Sequence, residues 1–192
     1  DTEEFGDLVA EIVPEGTDSV LLVEFYAEDD REGRQQVADL LADRAGEVAT
    51  EVDPSDGAAD LTDDPRRTFH VREAHDDAAR ERFWKLRKSG LPILLGRTSD
   101  AKHISFIEDT AVPPEHLPEY VADIRALLEE EGTFASFYAH AGPGCLHIRP
   151  LVDTKSVAGV ERMEAIADGA TDLVREYGGS VSGEHGDGRA RT

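Results

Sequence analysis

Between His140 and His147 the chain has to turn back on itself. The run Tyr138-Ala139-His140-Ala141-Gly142-Pro143-Gly144-Cys145-Leu146-His147 sets glycine and proline between two strand-like stretches, Phe134 to His140 and Leu146 to Leu151. Those residue types are turn chemistry. A hairpin centred on Pro143-Gly144 puts His140 opposite His147, and opposed cross-strand side chains have Cβ atoms about 4.5–5.5 Å apart, close enough to share one ion. A second glycine-rich turn, Ser182-Gly183-Glu184-His185-Gly186-Asp187-Gly188, follows the last helical stretch. Imidazole and carboxylate are the ligands of a catalytic divalent metal, typically three from the protein with one position open. His140 and His147, with Glu184 arriving from the later turn, are the candidate set. A histidine in a glycine-rich hairpin is by itself more often a hydrogen-bonded structural residue. The ligand reading rests on the two motifs together.

The rest of the chain alternates between strand and helix patterns. Val20 to Ala27 is a β-rich run, followed by a helix from about Arg31 to Glu47 with Val37, Leu40, Leu41 and Ala45 on one face. Residues 50 to 67 are polar and read as a loop. A helix from about Asp76 to Gly90 buries Ala79, Phe83 and Leu86, and Ile104 to Ile107 is a strand. Pro113-Pro114 opens a helix at its first turn, where a missing N–H costs little. Its apolar stripe, Leu117, Tyr120, Val121, Ile124, Leu127 and Leu128, ends at Gly132. A last helix, about Val157 to Tyr177, buries Val160, Met163, Ile166, Ala170, Leu173 and Val174 and stops at Gly178-Gly179. Alternation combined with a hairpin predicts an α+β fold with helices on a largely antiparallel sheet. There is no Gly-x-Gly-x-x-Gly after a strand and no phosphate loop, so no nucleotide cradle is recognisable.

Charge narrows the partners. Asp and Glu number 42 against 20 Lys and Arg, a formal charge of −22 over 192 residues. A surface this acidic repels nucleic acid and anionic membrane, and it suits a high-salt cytoplasm, where screening suppresses self-repulsion. The single cysteine, Cys145, excludes an internal disulfide and a four-cysteine metal or iron–sulfur centre. No apolar run approaches the ~18 residues of a membrane span. The chain begins Asp1-Thr2-Glu3-Glu4, with no initiator Met and no signal peptide, and reads as a cytoplasmic piece of a longer protein.

The two turns resemble the signature of the C-terminal domain of FAD-linked oxidases related to D-lactate dehydrogenase, the glycolate oxidase flavin subunit and D-2-hydroxyglutarate dehydrogenase. That family has a His-x-Gly-x-Gly-x-Leu-His hairpin, here His140 to His147 with one extra residue after the first His, and a Ser-Gly-Glu-His-Gly turn, here Ser182 to Gly186. Weaker matches lie upstream in the same order: Phe83-Trp84-Lys85-Leu86-Arg87-Lys88, Phe106 to Pro113, and Glu176-Tyr177-Gly178-Gly179. The resemblance is close over residues 80 to 192. Gly144 to Pro150 is most similar to the subgroup fused to an iron–sulfur reductase region.

The resemblance implies that residues 1–192 are the cap and substrate domain, built of paired ferredoxin-like βαβ subdomains, with the N-terminal FAD-binding domain absent. It implies oxidation of a small D-2-hydroxy acid by FAD, with a divalent Zn, Mn or Fe on His140, His147 and Glu184 polarising the hydroxyl oxygen. His185 would be the general base; as a bare residue it reads equally as a turn histidine bonded to a carbonyl. Arg87 would grip the substrate carboxylate with its planar fork, and most helical arginines are merely solvated. Arg149, two residues after His147 and so on the same strand face, would be a second grip on a dicarboxylate or the partner of an acidic neighbour. An iron–sulfur centre would be the electron acceptor. Pro143 and Cys145 stand where the family commonly has Asp and Asn, and Ile107 where it has a substrate-binding lysine. Glu108-Asp109 reads as site support or as a cap for the next helix. Cys145 reads as a small buried filler. His70, His75, His103 and His116 read as surface or loop histidines. The competing reading is a stand-alone ferredoxin-like module that binds a metal or small acid without chemistry, which has no use for His185 beside a ligand glutamate.

Overall fold

In the computed structural model, which describes residues 2–44, 70–95 and 99–186, the chain divides into two units, Asp1–Ile93 and Leu94–Thr192. The first contains helices α1 (Thr2–Ile12), α2 (Asp30–Arg44) and most of α3 (Asp77–Leu95). Side-chain caps start the latter two. Asp29 accepts the Glu32 N–H at 2.8 Å while Glu32 accepts the Glu28 N–H, a reciprocal capping arrangement, and Asp76 accepts the Ala79 N–H at 2.8 Å. Helix α3 runs past Gly90, where the sequence pattern ends it. The β-rich run Val20 to Ala27 forms no strand. Its side chains stay largely in solvent, Leu21 at 74 % and Tyr26 at 86 % exposure, and β propensity without a partner ladder does not make a strand. The expected loop at 50 to 67 lies outside the described residues.

The second unit is α+β: strands β1 (Lys102–His103) and β2 (Ile107–Ala111), a 3₁₀ turn (Pro114–His116), helix α4 (Leu117–Glu130), strands β3 (Ala135–His140) and β4 (Cys145–Val152), and helix α5 (Val157–Glu176). The strand expected at 104 to 107 is displaced: residues 104–106 link β1 to β2, and Ile107 opens β2. Strand β4 pairs antiparallel with β3 along one side and with β1 and β2 along the other. Because β2 and β3 both run antiparallel to β4, they are parallel to each other, joined by α4 across the strand between them: a split β-α-β unit. After α5 the chain returns to β2 and makes a single antiparallel bridge, Ala111 to Ser180. The paired subdomain that the resemblance implies has no strand among the described residues of the first unit.

One face of this sheet carries the core. Ile107 of β2 and Leu146, Ile148 and Val152 of β4 are buried against Tyr120, Ile124 and Leu128 of α4 and Ile166, Ala170 and Val174 of α5. The apolar stripe expected on α4 faces inward; on α5 Val160 instead lies at the exposed start, 37 % accessible. Both helices end in the same way, with Gly132 and Gly178 at positive φ and the following amides bonded back to Leu128 and Val174.

The hairpin is centred one residue earlier than the sequence suggests. His140 pairs with Cys145 and Tyr138 with His147. Gly144, at φ +74, donates to the Ala141 carbonyl at 3.1 Å and so closes the turn at its own position. A one-residue shift of centre moves each partner by two, which keeps both histidines on one face as diagonal neighbours. A Cβ on Gly144 would lie 1.9 Å from the Val112 carbonyl oxygen, whereas one on Gly142 meets nothing. We therefore expect Gly144→Ala to cost more than about 2 kcal/mol and Gly142→Ala well under ~1 kcal/mol. Urea unfolding followed by far-UV circular dichroism measures both, and equal midpoints would contradict the close approach.

Candidate metal and active site

Alternation along β4 separates the two faces of the sheet. Leu146, Ile148 and Val152 point into the core, so Cys145, His147 and Arg149 point to the other side. Register places Tyr138 and His140 of β3 and Glu108 of β2 on that same face. The turn after α5 then brings in Glu184 and His185. One oxygen, Glu184 Oε2, lies 3.2 Å from His147 Nε2, 3.6 Å from His185 Nε2 and 3.7 Å from His140 Nε2. The His147 ring centre is 5.4 Å from that of His140 and 5.4 Å from that of His185.

Strand β2 contributes more than pattern reading assigns to it. Consecutive strand residues ordinarily face opposite ways, yet Glu108 and Asp109 both reach the site face. The register shifts between Glu108 and Thr110, and Asp109 is the one non-glycine at positive φ among the described residues, at +76°. This is a β-bulge, which re-aims a side chain. Glu108 Oε1 accepts from the Arg149 guanidinium at 2.7 Å and stands 3.5 Å from His147 Nδ1. Asp109, wholly buried, accepts the His185 N–H at 2.7 Å through Oδ2, while Oδ1 is 3.6 Å from both the Cys145 sulfur and His185 Nδ1. Neither carboxylate caps a helix: Pro113 precedes the 3₁₀ turn and His116 precedes α4, each without a side-chain cap. Two adjacent acids inside an apolar strand, one of a type that tolerates positive φ, were the sequence signal for this arrangement.

The sequence-expected residues sort as follows. His140, His147, Glu184, His185 and Arg149 all belong to the second unit, and the first four converge on one spot. Arg149 stands beside them as the partner of Glu108. Arg87 is on α3 in the first unit, half-buried, with burial holding its guanidinium below the ordinary value. Cys145 is buried as expected, and its thiol is pushed up to about 11, by burial first and then by Asp109. His103 is a structural histidine, with Nδ1 2.9 Å from the Arg149 carbonyl oxygen.

The electrostatics favour a cation. Among the described residues, Glu108, Asp109 and Glu184 bring three carboxylates against one guanidinium, and burial pushes the His147 imidazole down despite the opposing pull of Glu108 and Glu184. A neutral imidazole is the form that ligates. Burial also raises the Asp109 carboxyl, but the backbone amides of Glu184 and His185, the Cys145 thiol and His185 together outweigh it and hold it below its ordinary value. Around a tetrahedral ion with bonds of about 2.0–2.1 Å, neighbouring ligand atoms stand roughly 3.4 Å apart; the 3.2 and 3.7 Å spacings from Glu184 to His147 and His140 are of that size. Two buried atoms here, Glu108 Oε2 and His147 Nδ1, have no hydrogen-bond partner. The grouping whose ligand atoms all lie within 4.8 Å of one another is Asp109, His147, Glu184 and His185, which leaves out His140 and takes in His185. Asp109 is the weaker ligand of the two sets' members, because its carboxylate already accepts backbone amides.

Comparison with known proteins adds a family. The family described as FAD linked oxidases, C-terminal domain, matches residues 4–192. The D-2-hydroxyglutarate dehydrogenase of Escherichia coli (strain K12) is 41 % identical over 108 residues, 56 % of this chain and 11 % of that protein. The glycolate oxidase subunit GlcD of the same strain is 35 % identical over 121 residues, 63 % of this chain and 23 % of that protein. The mitochondrial D-lactate dehydrogenase [cytochrome] of Arabidopsis thaliana is 26 % identical over 118 residues, 62 % of this chain and 20 % of that protein. The chain thus spans about a tenth to a quarter of the length of these relatives.

The depressed His147 value has a consequence for stability. The unfolded chain takes up a proton near pH 6.5, where the folded chain does not, so stability is full above that pH and falls as pH drops below it. Asp109 adds a separate loss at lower pH, when its depressed carboxyl is finally protonated through the folded value. His147→Gln should flatten the fall in urea midpoint between about pH 7 and pH 5.5 and leave the later acid limb. An unchanged slope in that interval would refute the assignment.

Proposed function

The chain belongs to the family of FAD-linked oxidase C-terminal domains, and on that premise we propose that it is the substrate- and metal-binding domain of a flavin-dependent 2-hydroxyacid dehydrogenase. The observation that carries the reading is the convergence of three imidazole Nε2 atoms on one Glu184 oxygen. His140, His147 and Glu184 would hold a divalent Zn, Mn or Fe, which when bound supplies a Lewis acid for the substrate hydroxyl oxygen. FAD, which would be held mainly by an N-terminal domain of the same protein, would supply the acceptor for the C2 hydrogen and its electron pair. Electrons would pass on to an iron–sulfur centre, and the protein would work in a saline cytoplasm. The substrate is a small D-2-hydroxy acid of the 2-hydroxyglutarate, lactate or glycolate type, oxidised to the 2-oxo acid.

The chain's own residues divide the remaining work. His185 is the base: Asp109 stands beside Nδ1 and orients the ring, leaving Nε2 to take the hydroxyl proton. Arg149 would grip the substrate carboxylate with its planar two-donor fork, and Arg87, on the first unit, is a separate candidate for that task. The Glu108 contact through Nη2 fixes the plane of the Arg149 guanidinium before substrate arrives. The buried His147 stays neutral and would be free to hold the metal without competing for the proton.

Chain purified from concentrated KCl should carry about one equivalent of Zn, Mn or Fe, and His147→Ala should lose it. In the full-length protein, His185→Ala should retain the metal and lower kcat by about 10²–10⁴. Metal that stays in His147→Ala, or turnover unaffected by His185→Ala, would overturn the corresponding role.

A further inference from the structure

The geometry points to Asp109 as the positioning residue of this site: its bulged backbone and its buried carboxylate clamp the turn from Gly183 to His185 and so set Glu184 and His185 against His147. The roles of the clamped residues rest on the function proposed above; the clamp itself does not.

Backbone and side chain act together. The Asp109 carbonyl accepts the Gly183 N–H at 2.8 Å, and Oδ2 accepts the His185 N–H at 2.7 Å. Glu184, the residue between them, is therefore held from both sides, and its carboxylate is the one on which the three imidazoles converge. The second oxygen, Oδ1, faces His185 Nδ1 at 3.6 Å and so bears on the ring as well as on its backbone. The approach is close: a Cβ on Gly183 would lie 2.8 Å from the Ala111 Cβ and 3.2 Å from the Asp109 carbonyl oxygen.

The residue type follows from three demands. A φ of +76° suits Gly, Asn or Asp and few others. Acceptance of backbone N–H groups at full burial requires an oxygen on a short stem, which Gly lacks. A Glu would carry its oxygens one methylene too far. Without the bulge, the alternation that turns Glu108 to the site face would send the next side chain into the core, where Thr110 already stands opposite Leu146. A one-residue irregularity thus delivers two consecutive carboxylates to one face, Glu108 beside His147 and Asp109 beneath Glu184 and His185.

The test separates backbone conformation from carboxylate. In the metal-free full chain, amide hydrogen exchange read by NMR should show His185 protected in wild type and in Asp109→Asn, which keeps both the φ and an acceptor oxygen. In Asp109→Gly, which suits the φ but lacks the oxygen, the His185 amide should exchange about tenfold faster or more. Titration with Co²⁺ should then show Asp109→Asn close to wild type and Asp109→Gly weaker by about 10–100-fold. An unprotected His185 amide in wild type, or equal exchange in Asp109→Gly, overturns the clamp. Loss of protection with undiminished Co²⁺ affinity overturns its positioning role. If wild type binds no Co²⁺ while the exchange pattern holds, the clamp stands and the metal assignment above falls.

Discussion

Among the described residues, strand β4 hydrogen-bonds to all three other strands of the second unit, and its two-residue alternation governs the rest of that unit. Leu146, Ile148 and Val152 go one way, into contact with α4 and α5. Cys145, His147 and Arg149 go the other way. Burial of the first set fixes the register, because a slip by one residue would exchange the faces and put a guanidinium and an imidazole into the core. The energy that holds the site side chains in place is thus spent on the opposite side of the same strand. The site face itself is held chiefly by polar contacts.

A sheet face alone does not assemble the constellation. Strict alternation would bring one carboxylate from β2, and the turn after α5 would hang from the single bridge between Ala111 and Ser180. The bulge at Asp109 changes both. It re-aims a second carboxylate and turns its own carbonyl toward Gly183. A non-glycine residue in the left-handed region costs of order 1–3 kcal/mol and persists only where its surroundings over-determine it. Here the Gly183 and His185 amides and the Cys145 thiol supply that determination.

The electrostatic design is coherent with a cation and a proton acceptor side by side. Three carboxylates gather around neutral imidazole, and among the described residues Arg149 answers them with a positive charge. In that field a divalent ion is attracted, and an imidazole at His185 with a carboxylate beside it is kept oriented. The acidity of the whole chain, −22, acts in the same direction at long range. It would draw cations toward the molecule and, on the proposed function, leave an anionic substrate to local guanidinium groups.

The sequence by itself determined the elements that rest on local chemistry. Helices α4 and α5 follow from their apolar stripes and the glycines that stop them, while the prolines expected to open α4 start the 3₁₀ turn just before it. The hairpin follows from its glycine and proline, and the family resemblance from two motifs whose residues do come together. What was not legible depends on partners distant in sequence. Val20 to Ala27 has every local preference for a strand and forms none, because a ladder needs a second chain segment. The hairpin centre moved by one residue because Gly144 takes the left-handed conformation against Val112. The role of Glu108-Asp109 was invisible because a bulge is a mismatch between two strands, a property of neither alone. Only the tertiary structure, by laying β2 against β4 with one residue too many, decided which carboxylates would stand beside the histidines.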